Sequence, residues 1–416
     1  MLISIGTHLT KPCHLVFFYC STATAVKFIW SNPELAYEEH KAHDAICDFL
    51  EGQGFTVTRH AYGVDTSFEC ISGTEGRLIN LNAEYDASPD IGHACGHNLI
   101  ATSSIAAFLA LSQLQKKYGI KGRIQLLGTP AEENGRGKAK LIDAGAFQGV
   151  DISLMAHGGP ENLGGPTGGG VAGVLMNARK ELHVEYFGKN AHAGGNPWDG
   201  VNALDALVQA YNGISTLRQQ ILPEERIHGA FLDTKSYWQV RSPTLQGLNK
   251  LIAKVRQCIE GAALVTGCTA KIDEDGLYTD IILNETLCER FTGHMATYGK
   301  KYVQKLDQVL TGSSDVGEFC NVTILILLSH VTNILQGNVS YVVPTLHAMF
   351  AISTSNGSFP HHPDFTTCAG TDEAHDAAVL TGKGLALLGW DMLTDDALYT
   401  SARVQWEGQI PKEAAH

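Results

Sequence analysis

The 416-residue chain lacks an excess of basic side chains and lacks closely spaced cysteine pairs. It carries 43 Asp and Glu against 30 Lys and Arg, which gives a formal net charge of -13. Binding to phosphate backbones requires clustered Lys and Arg, so this balance argues against a nucleic-acid partner. The ten cysteines form no CxxC pair. In a chain of this length, that pattern indicates reduced thiols and a cytoplasmic protein.

Long apolar segments are also lacking. The run "CHLVFFYCSTATAVKFIW" near the N-terminus has no basic region before a clean apolar core and contains Lys27, so we do not expect a signal peptide. The run "VTILILLSHVTNIL" at 322–335 is too short to cross a bilayer, and we predict no membrane span. The chain length instead allows one large core and a second domain.

Three short apolar runs end in side chains that can carry out chemistry. They are "RLINLNAEYDA", ending at Glu84 and Asp86, "RIQLLGTPAEE", ending at Glu132 and Glu133, and "DISLMAHGG", ending at His157. We interpret each run as a buried strand, with helices over 98–116 and 135–146 and a last helix from about Thr371. Alternating strands and helices are typical of an α/β layered domain, whose sites lie beyond the carboxyl ends of the strands.

Capping patterns predict two further helix starts. In "SNPELAYEEH", Ser31 with Glu34 three residues later resembles a capping box. In "SPTLQGLNKLIAKVRQCI", Ser242 can cap a helix whose first position is Pro243. Together with the alternating strand "KELHVEYFGK", the second pattern suggests that residues 178–290 form a small α+β domain inserted into the larger one.

Cys95 lies between His93 and His97 in "GHACGHN", and several roles are open to it. A nucleophile needs a base, and histidines two residues away are poorly placed to deprotonate the thiol and then serve a leaving group. The predicted compartment disfavours a disulfide, and a structural zinc site would present a second closely spaced ligand pair, which does not follow. The remaining interpretation is a hydrolytic metal site assembled from several strand ends, with a thiol hydrolase as an alternative hypothesis.

The adjacent carboxylates of "PAEEN" suit a hydrolytic metal site, because one can bind a metal while the other holds and deprotonates water. Most Glu-Glu pairs are solvated surface, but this one follows an apolar run and Pro130. His157 in "LMAHGGP" and His361 and His362 in "FPHHPDF" add imidazoles. Taken alone, each of these histidines is also compatible with a structural residue or a loop.

In this order, "HACGH", "PAEE", "MAHGGP", "NAHAGG" and "HHPDF" resemble the motifs of metallopeptidase family twenty, the two-metal aminoacylases and carboxypeptidases. The resemblance extends over about residues 30–390. Within the family, "SNPELAYEEHKAHD", "VRSPTLQGLNKL" and "SYVVPTLH" are most similar to a dipeptidase-like subgroup of the amino-acid-conjugate amidohydrolases. The resemblance implies hydrolysis of the amide bond in a small amino-acid conjugate, above all an Xaa-Arg or β-alanyl-lysine type dipeptide with a basic C-terminal residue.

The resemblance also implies a role for each matching residue. Glu132 would be the general base that activates water and later protonates the leaving amine, with Glu84 and Asp86 supporting His97 or the metals. His93 would have a supporting or structural role. Two divalent ions, zinc or manganese, would be bridged by the Cys95 thiolate and held by the ligand set Cys95, His97, Glu133, His157 and His361.

The fold that the resemblance implies is a mixed-sheet, three-layer α/β catalytic domain with an inserted, ferredoxin-like α+β lid. The catalytic domain would comprise residues 28–177 and 291–416, and the lid and dimerisation domain residues 178–290. His192 in "NAHAGG" would reach the site of a partner subunit and stabilise the tetrahedral oxyanion. This role implies a homodimer and closure of the small domain around the substrate.

Three segments depart from the family pattern. About twenty residues at 318–337 separate "GSSDVG" from "SYVVPTLH", and we hypothesise a translated intron or a misassigned gene boundary. The segment near 229–241 is short, so its expected pair of strands is barely accommodated, and residues 1–27 are atypical. The alternatives are therefore a catalytically impaired homodimer that binds a small ligand, or an amidohydrolase acting on N-acyl amino acids or aminobenzoyl-glutamate-like amides.

Overall fold

The structure, a computed structural model, divides into two compact units. The first unit contains the described residues up to Leu175, those of Ile281–Gln308 and those from 336 onward, and the second contains Met176–Asp280. The structure describes residues 27–133, 135–163, 168–232, 235–310 and 336–411.

The strands, in chain order, are β1 (Val57–Arg59), β2 (Phe68–Glu75), β3 (Leu78–Ala83), β4 (Gly122–Gly128), β5 (Ile152–Pro160), β6 (Gly168–Met176), β7 (Ala178–Phe187), β8 (Arg226–Leu232), β9 (Lys235–Ser242), β10 (Thr269–Tyr278), β11 (Lys301–Leu310) and β12 (Thr345–Ile352). The helices are α1 (His40–Gly52), α2 (His97–Tyr118), α3 (Gly137–Asp143), α4 (Ala203–Thr216), α5 (Leu245–Thr266), α6 (Glu285–Thr297), α7 (Gln336–Ser340), α8 (Pro363–Ala369), α9 (Asp372–Thr394) and α10 (Asp396–Gln409).

The first unit is built on a mixed sheet with the strand order β1-β2-β4-β3-β5-β12-β6-β11. Strands β4, β3, β5 and β12 run parallel, whereas β1 with β2, β2 with β4, and β6 with β12 pair antiparallel. Strands β3 and β5 are buried along their whole length, which explains their nearly continuous apolar sequences. Because parallel strands end at the same edge, the residues that follow β3, β4 and β5 meet there.

Helices cover both faces of this sheet. On one face a small core joins Leu78 and Leu127 of the strands to Leu141 of α3 and Val339 of α7. On the other face, α2 and α9 pack on each other and on the central strands. Strand residues of this larger core include Leu81, Leu126 and Leu154. The predicted helix–sheet–helix layers are therefore present. Helix α2 covers the predicted segment 98–116, whereas α3 occupies only Gly137–Asp143 of the predicted segment 135–146.

The second unit is an antiparallel sheet with the strand order β10-β7-β9-β8, packed against α4 and α5. Leu182, Val184 and Tyr186 of β7 are buried in alternation with more exposed residues, as the sequence predicts. Strands β8 and β9 pair from Arg226↔Arg241 onward in spite of the short segment. The shortened segment therefore accommodates both expected strands.

The predicted helix start in "SNPELAYEEH" is wrong, since α1 begins only at His40. Glu34 does not form a capping box with Ser31. Its carboxylate instead accepts from the backbone N–H groups of Lys41 at 2.9 Å and Ala42 at 3.0 Å. Glu34 therefore caps α1 although it lies six residues before the first residue of the helix, and residues 34–39 remain outside the helix.

The start of α5 also differs from the prediction. The helix begins at Leu245, and its cap is Thr244, whose hydroxyl accepts from the Gly247 N–H at 3.1 Å. Ser242 is the last residue of β9 and donates to Glu225 at 3.3 Å. The strand extends further than expected, so Ser242 lies two residues before the cap.

Two departures from the family pattern fall wholly or mostly outside the described residues. These are the atypical N-terminus, of which 27 alone is described, and the interruption at 318–337, of which only 336 and 337 are described. Among the helices that the structure describes, none combines the length and apolar character needed to cross a membrane.

The buried Asp391 carboxylate joins α6 to α9 and gives the fold a pH dependence. Asp391 accepts from Arg290 Nε at 2.5 Å and from His294 Nε2 at 2.6 Å. Burial alone would raise the pKa of Asp391, but these hydrogen bonds outweigh it and hold the pKa below its usual value. The folded state therefore gains stability above the unfolded pKa and loses it as the pH falls through the folded pKa.

We expect Asp391→Asn to lower the free energy of unfolding at pH 7 by about 2 kcal/mol, because it weakens two hydrogen bonds to charged groups. The difference from the unmodified protein should shrink below about pH 4, where the Asp391 carboxyl first takes up a proton in the unfolded chain and then, at lower pH, in the folded protein. Urea unfolding across pH 3–8 measures this difference. Asp376→Asn, which removes an exposed carboxylate from the same helix, is the control. A pH-independent difference would contradict the prediction.

Candidate metal centre

The turn that carries Cys95 and His97 is tight, and two of its glycines adopt a left-handed backbone conformation. Gly92 and Gly96 have φ values of 63° and 82°. A side chain at Gly96 would lie 3.0 Å from Phe365 Cε1 and would be strained in this left-handed conformation. The glycines thus allow the turn to place Cys95 immediately before α2, whose first residue is His97.

Cys95, His97 and His157 form the first group of side chains that could hold a metal ion. Their ligand atoms lie within 4.8 Å of one another, and Cys95 Sγ is 3.3 Å from His157 Nε2. His97 Nδ1 donates to the Asp86 carbonyl at 3.0 Å, and His157 Nδ1 donates to the Gly158 carbonyl at 2.6 Å. Because a carbonyl only accepts, each ring holds a proton on Nδ1 and can offer the Nε2 lone pair to a metal.

Cys95, Glu133 and His361 form the second group. His361 Nε2 lies 3.6 Å from Glu133 Oε1, to which Ser88 Oγ donates at 3.0 Å. His361 has a φ of 70°, and its N–H donates to the Ala94 carbonyl at 2.8 Å, which holds it against the Cys95 turn. Because Cys95 belongs to both groups, its sulfur lies where one thiolate can bridge two ions. All five predicted ligands therefore lie together.

Asp86 contacts one residue of each group. Its Oδ1 accepts from His97 Nδ1 at 2.9 Å, and its Oδ2 accepts from the Glu133 N–H at 2.9 Å. Burial alone would raise the pKa of Asp86, but its interactions with His97 and the backbone of Glu133 lower it. These contacts give a geometric basis to the predicted supporting role of Asp86.

Glu84 and Glu132 form a third group around His97. His97 Nε2 lies 3.4 Å from Glu84 Oε2 and 3.7 Å from Glu132 Oε2. Burial, followed by the nearby Glu84 carboxylate, raises the pKa of Glu132 well above its usual value. A raised pKa suits a carboxylate that must accept a proton and later return it near neutral pH.

Lys138 and His347 are buried near the site, although no motif assigns a role to either of them. Lys138 is completely buried and forms an ion pair with Glu84. Lysine is rarely fully buried without such a partner, and nothing in "GRGKAKLID" separates Lys138 from an exposed helix lysine. His347 stacks on His157 with ring centroids 6.3 Å apart. This neighbour follows only from the pairing of β12 with β5. Met349 lies opposite His157, and His347, two residues earlier in β12, projects from the same face of the sheet.

The surroundings of Cys95 do not favour a nucleophile. Burial raises the pKa of its thiol well above the usual value. Reactive cysteines instead have lowered pKa values in partly exposed, electropositive surroundings. A thiolate at this position would require a bound cation that displaces the proton.

Two other histidines of the motifs have structural contacts. His93 Nε2 donates to the Ile29 carbonyl at 3.1 Å, and burial lowers the pKa of His93 to about 4. His362 Nδ1 accepts from the Asp364 N–H at 3.1 Å and caps α8. Of the pair in "FPHHPDF", His361 alone therefore belongs to the metal-binding groups.

His192 lies in an exposed loop of the second unit and belongs to none of the three groups around Cys95 and His97. Its Nδ1 accepts from the backbone N–H groups of Gly194 at 3.2 Å and Gly195 at 2.9 Å. An accepting Nδ1 requires that the neutral ring carry its proton on Nε2. His192 is therefore arranged as a hydrogen-bond donor through Nε2.

The donor set fits a pair of divalent ions. Among the described residues, His97 Nε2 and Glu133 Oε2 are buried and make no hydrogen bond, whereas most buried polar atoms have such a partner. Sulfur, imidazole nitrogen and carboxylate oxygen are the ligands of zinc, and imidazole and carboxylate also suit manganese. Three protein ligands for each ion leave a position for water or substrate, as in catalytic zinc sites.

Comparison with known proteins identifies relatives along most of the chain. The family model of "Peptidase family M20/M25/M40" matches residues 79–338. The Xaa-Arg dipeptidase of Mus musculus is 36% identical over 92% of this chain and 88% of its own length. The Xaa-Arg dipeptidase of Homo sapiens is 33% identical over the same shares.

The fold also resembles that of a solved structure, a dinuclear metal-binding peptidase of the M20 family from Bacillus subtilis. The TM-score is 0.59 at 18% identity, and the match covers 88% of this chain and 98% of the other. These findings confirm the predicted α/β fold class, the predicted hydrolase class and the predicted family. The chain belongs to peptidase family M20/M25/M40.

Proposed function

We propose that the protein is a two-metal hydrolase that cleaves the amide bond of dipeptides with a basic C-terminal residue. The observation that carries this proposal is the convergence of two ligand groups on Cys95, with the buried Glu132 beside them. Family membership supports the reaction class, and the similarity to two Xaa-Arg dipeptidases supports the substrate class. The net charge of -13 suits a cationic substrate.

The proposed metal site divides its ligands between two ions. Cys95, His97 and His157 would hold one ion, and Cys95, Glu133 and His361 would hold the other. This assignment is supported by the tautomers of His97 and His157 and by the hydrogen bonds of Asp86 to His97 and Glu133. We propose zinc as the ion, since a bridging thiolate favours it over manganese.

Proton transfer is assigned to Glu132. When bound, the two ions would polarise the scissile carbonyl and lower the pKa of water. Glu132 takes the proton from the attacking water and then delivers it to the leaving amine. Lys138 holds Glu84 by an ion pair and tempers the repulsion between Glu84 and Glu132.

Stabilisation of the tetrahedral oxyanion is assigned to a residue of the second unit. We propose that residues 178–290 form a lid and dimerisation domain, inserted between catalytic segments 28–177 and 291–416. His192 of the partner subunit would donate its Nε2–H to the tetrahedral oxyanion. The tautomer set by Gly194 and Gly195 supports this donor role.

A cytoplasmic location is part of the proposal. The cysteines among the described residues are free, and Cys47, Cys70, Cys95 and Cys288 are buried as thiols. A reducing compartment keeps such thiols available, and the bridging role of Cys95 requires that it stay reduced.

The substrate proposal predicts a clear preference within a matched panel. We expect kcat/KM for Ala-Arg and Ala-Lys to exceed that for Ala-Glu by about tenfold or more, since one charge interaction of about 1.4 kcal/mol gives that ratio. Chelation should abolish hydrolysis, and zinc or manganese should restore it. Release of free amino acid, followed by chromatography, measures each rate. A preference for N-acetylarginine or p-aminobenzoyl-glutamate would contradict the proposed substrate but leave the reaction class standing.

Replacement of the proposed base should separate chemistry from metal binding. We expect Glu132→Gln to lower kcat by about 10²–10⁴-fold, the usual contribution of a general base. Metal content should remain that of the unmodified protein, because Glu132 belongs to neither proposed ligand set. Steady-state kinetics and elemental analysis check both outcomes. Glu75→Gln, at an exposed position of β2, is the control, and a Glu132→Gln protein with full activity would overturn the mechanism.

The buried ion pair can be tested by a double-mutant cycle. Lys138→Met leaves Glu84 buried without its partner, and we expect a loss of about 3–5 kcal/mol in the free energy of unfolding. Lys138 lowers the pKa of Glu132, so its removal should move the acidic limb of kcat/KM to higher pH. Glu84→Gln should move that limb to lower pH, because Glu84 raises the same pKa.

The double variant Glu84→Gln/Lys138→Met should recover part of the lost stability, since it removes both charges. Lys121→Met, at an exposed lysine, serves as the control for loss of a positive charge. Additive losses in the double variant would show that the two side chains do not interact.

A further inference from the structure

The turn that presents Glu132 and Glu133 has a strained backbone. Ala131 and Arg136 both have a φ of 58°, a left-handed conformation that costs a residue other than glycine roughly 1–3 kcal/mol. Gly137 closes the turn so tightly that a Cβ there would lie 1.7 Å from the Pro130 carbonyl oxygen. Such a conformation persists only where surrounding contacts hold it.

Glu39 supplies one of these contacts from the segment before α1. Its side chain is fully buried, and its Oε1 accepts from the Ala131 N–H at 2.8 Å. Its Oε2 accepts from Thr66 Oγ1 at 2.7 Å. The carboxylate thus links the strained residue of the turn to the segment that leads into β2.

Tyr37 supplies a second contact two residues earlier. Its hydroxyl donates to the Gly135 carbonyl, and Lys140 Nζ lies 3.9 Å from the centre of its ring. A side chain at Gly135 would lie 2.5 Å from Tyr37 Cε2, so the ring packs directly on the turn. Glu39 therefore contacts the first residue of the segment 131–135, and Tyr37 contacts its last residue.

Burial of the Glu39 carboxylate is unfavourable by itself. Burial, and then the charge of Asp86, raises the pKa of Glu39 to about 7. An apolar residue would avoid this desolvation but could not accept from the Ala131 N–H. What a carboxylate at this position provides, and an apolar side chain could not, is therefore the hydrogen bond to the strained turn.

We infer that Tyr37 and Glu39 are positioning residues that brace the turn 131–135 and thereby aim Glu132 and Glu133. The inference rests on the proposed function for the roles of those two glutamates. Neither brace residue lies in a proposed ligand set, and both act through the backbone of the turn. A shift of about 1 Å in a reacting group can reduce a rate by about 10²-fold, so small displacements of the turn matter.

The test compares Glu39→Ala with Glu39→Gln. Glutamine keeps an oxygen that accepts from the Ala131 N–H, and its amide can donate to Thr66, whereas alanine removes both contacts. We expect Glu39→Ala to lower kcat by about 10²-fold with KM within about threefold of the unmodified protein. Glu39→Gln should keep kcat within about threefold. Glu38→Ala, at a neighbouring exposed residue, is the control.

Metal binding gives a readout that does not depend on turnover. Apo-protein is titrated with Zn²⁺ by calorimetry, and we expect Glu39→Ala to weaken the site that contains Glu133 by about tenfold, since loss of an orienting contact typically costs 10–100-fold in metal affinity. If the unmodified protein hydrolyses no dipeptide, the proposed function fails, but the titration still decides the role of the brace.

The outcomes are distinct. Metal affinity and kcat unchanged in a folded Glu39→Ala protein would overturn the inference, and so would equal losses in the alanine and glutamine variants. If Glu39→Ala does not fold, Tyr37→Phe decides, because it removes only the hydrogen bond to Gly135 and keeps the ring. We expect that variant to lose about threefold to tenfold in kcat while its melting temperature falls by only a few degrees, and an unchanged kcat would overturn the inference.

Discussion

The site depends on one buried carboxylate that ties two separate segments together. Asp86 accepts from the ring of His97 at the start of α2 and from the backbone N–H of Glu133 in the turn after β4. These segments approach each other because β3 and β4 are parallel neighbours that end at the same edge of the sheet. The sheet brings the residues within reach, and Asp86 then fixes how a ligand from one segment faces a ligand from the other. Without that link, the two metal-binding groups would still share Cys95, but the position of His97 relative to Glu133 would not be fixed.

The concentration of acidic groups at this edge is unfavourable unless cations are bound. Burial, with contributions from neighbouring charges, raises the pKa of Glu132 well above its usual value and raises that of Glu133 to about 7. Lys138 offsets part of the negative charge through Glu84. Divalent ions would offset much more, because they bind the folded arrangement and not the separated segments of an unfolded chain. Metal binding and stability of this edge are therefore coupled by charge.

The resemblance to the family supplied the proposed ligand set, and the strand pattern by itself indicated only which polar residues would meet at one edge of the sheet. Glu84, Glu132 and His157 each stand just after or within an apolar run, and parallel strands that end together must bring such positions together. Lys138 and Glu39 could not be predicted in this way, because each contacts a partner far along the chain, 54 residues away for Glu84 and 92 for Ala131. Their own surroundings in sequence look like ordinary charged surface.

The wrong prediction for the start of α1 has the same physical origin. A capping box is a local pattern, but Glu34 caps α1 across the intervening segment, which is then free to pack on the turn after β4. The helix could have begun earlier on local propensity alone. It does not, because Tyr37 and Glu39 gain contacts with Gly135 and Ala131 that a helical segment would not offer. Tertiary contacts thus override the local pattern at the point where the segment serves the site.

Backbone groups also decide what each histidine can do. His97 and His157 donate Nδ1–H to carbonyl oxygens, which leaves the Nε2 lone pair for a metal. His192 receives backbone N–H groups at Nδ1, which places the proton on Nε2 and makes that atom a donor. The main-chain group beside each ring therefore decides which of its nitrogens carries the proton. Sequence motifs identify these histidines, but the main-chain partner determines whether Nε2 offers a lone pair or a proton.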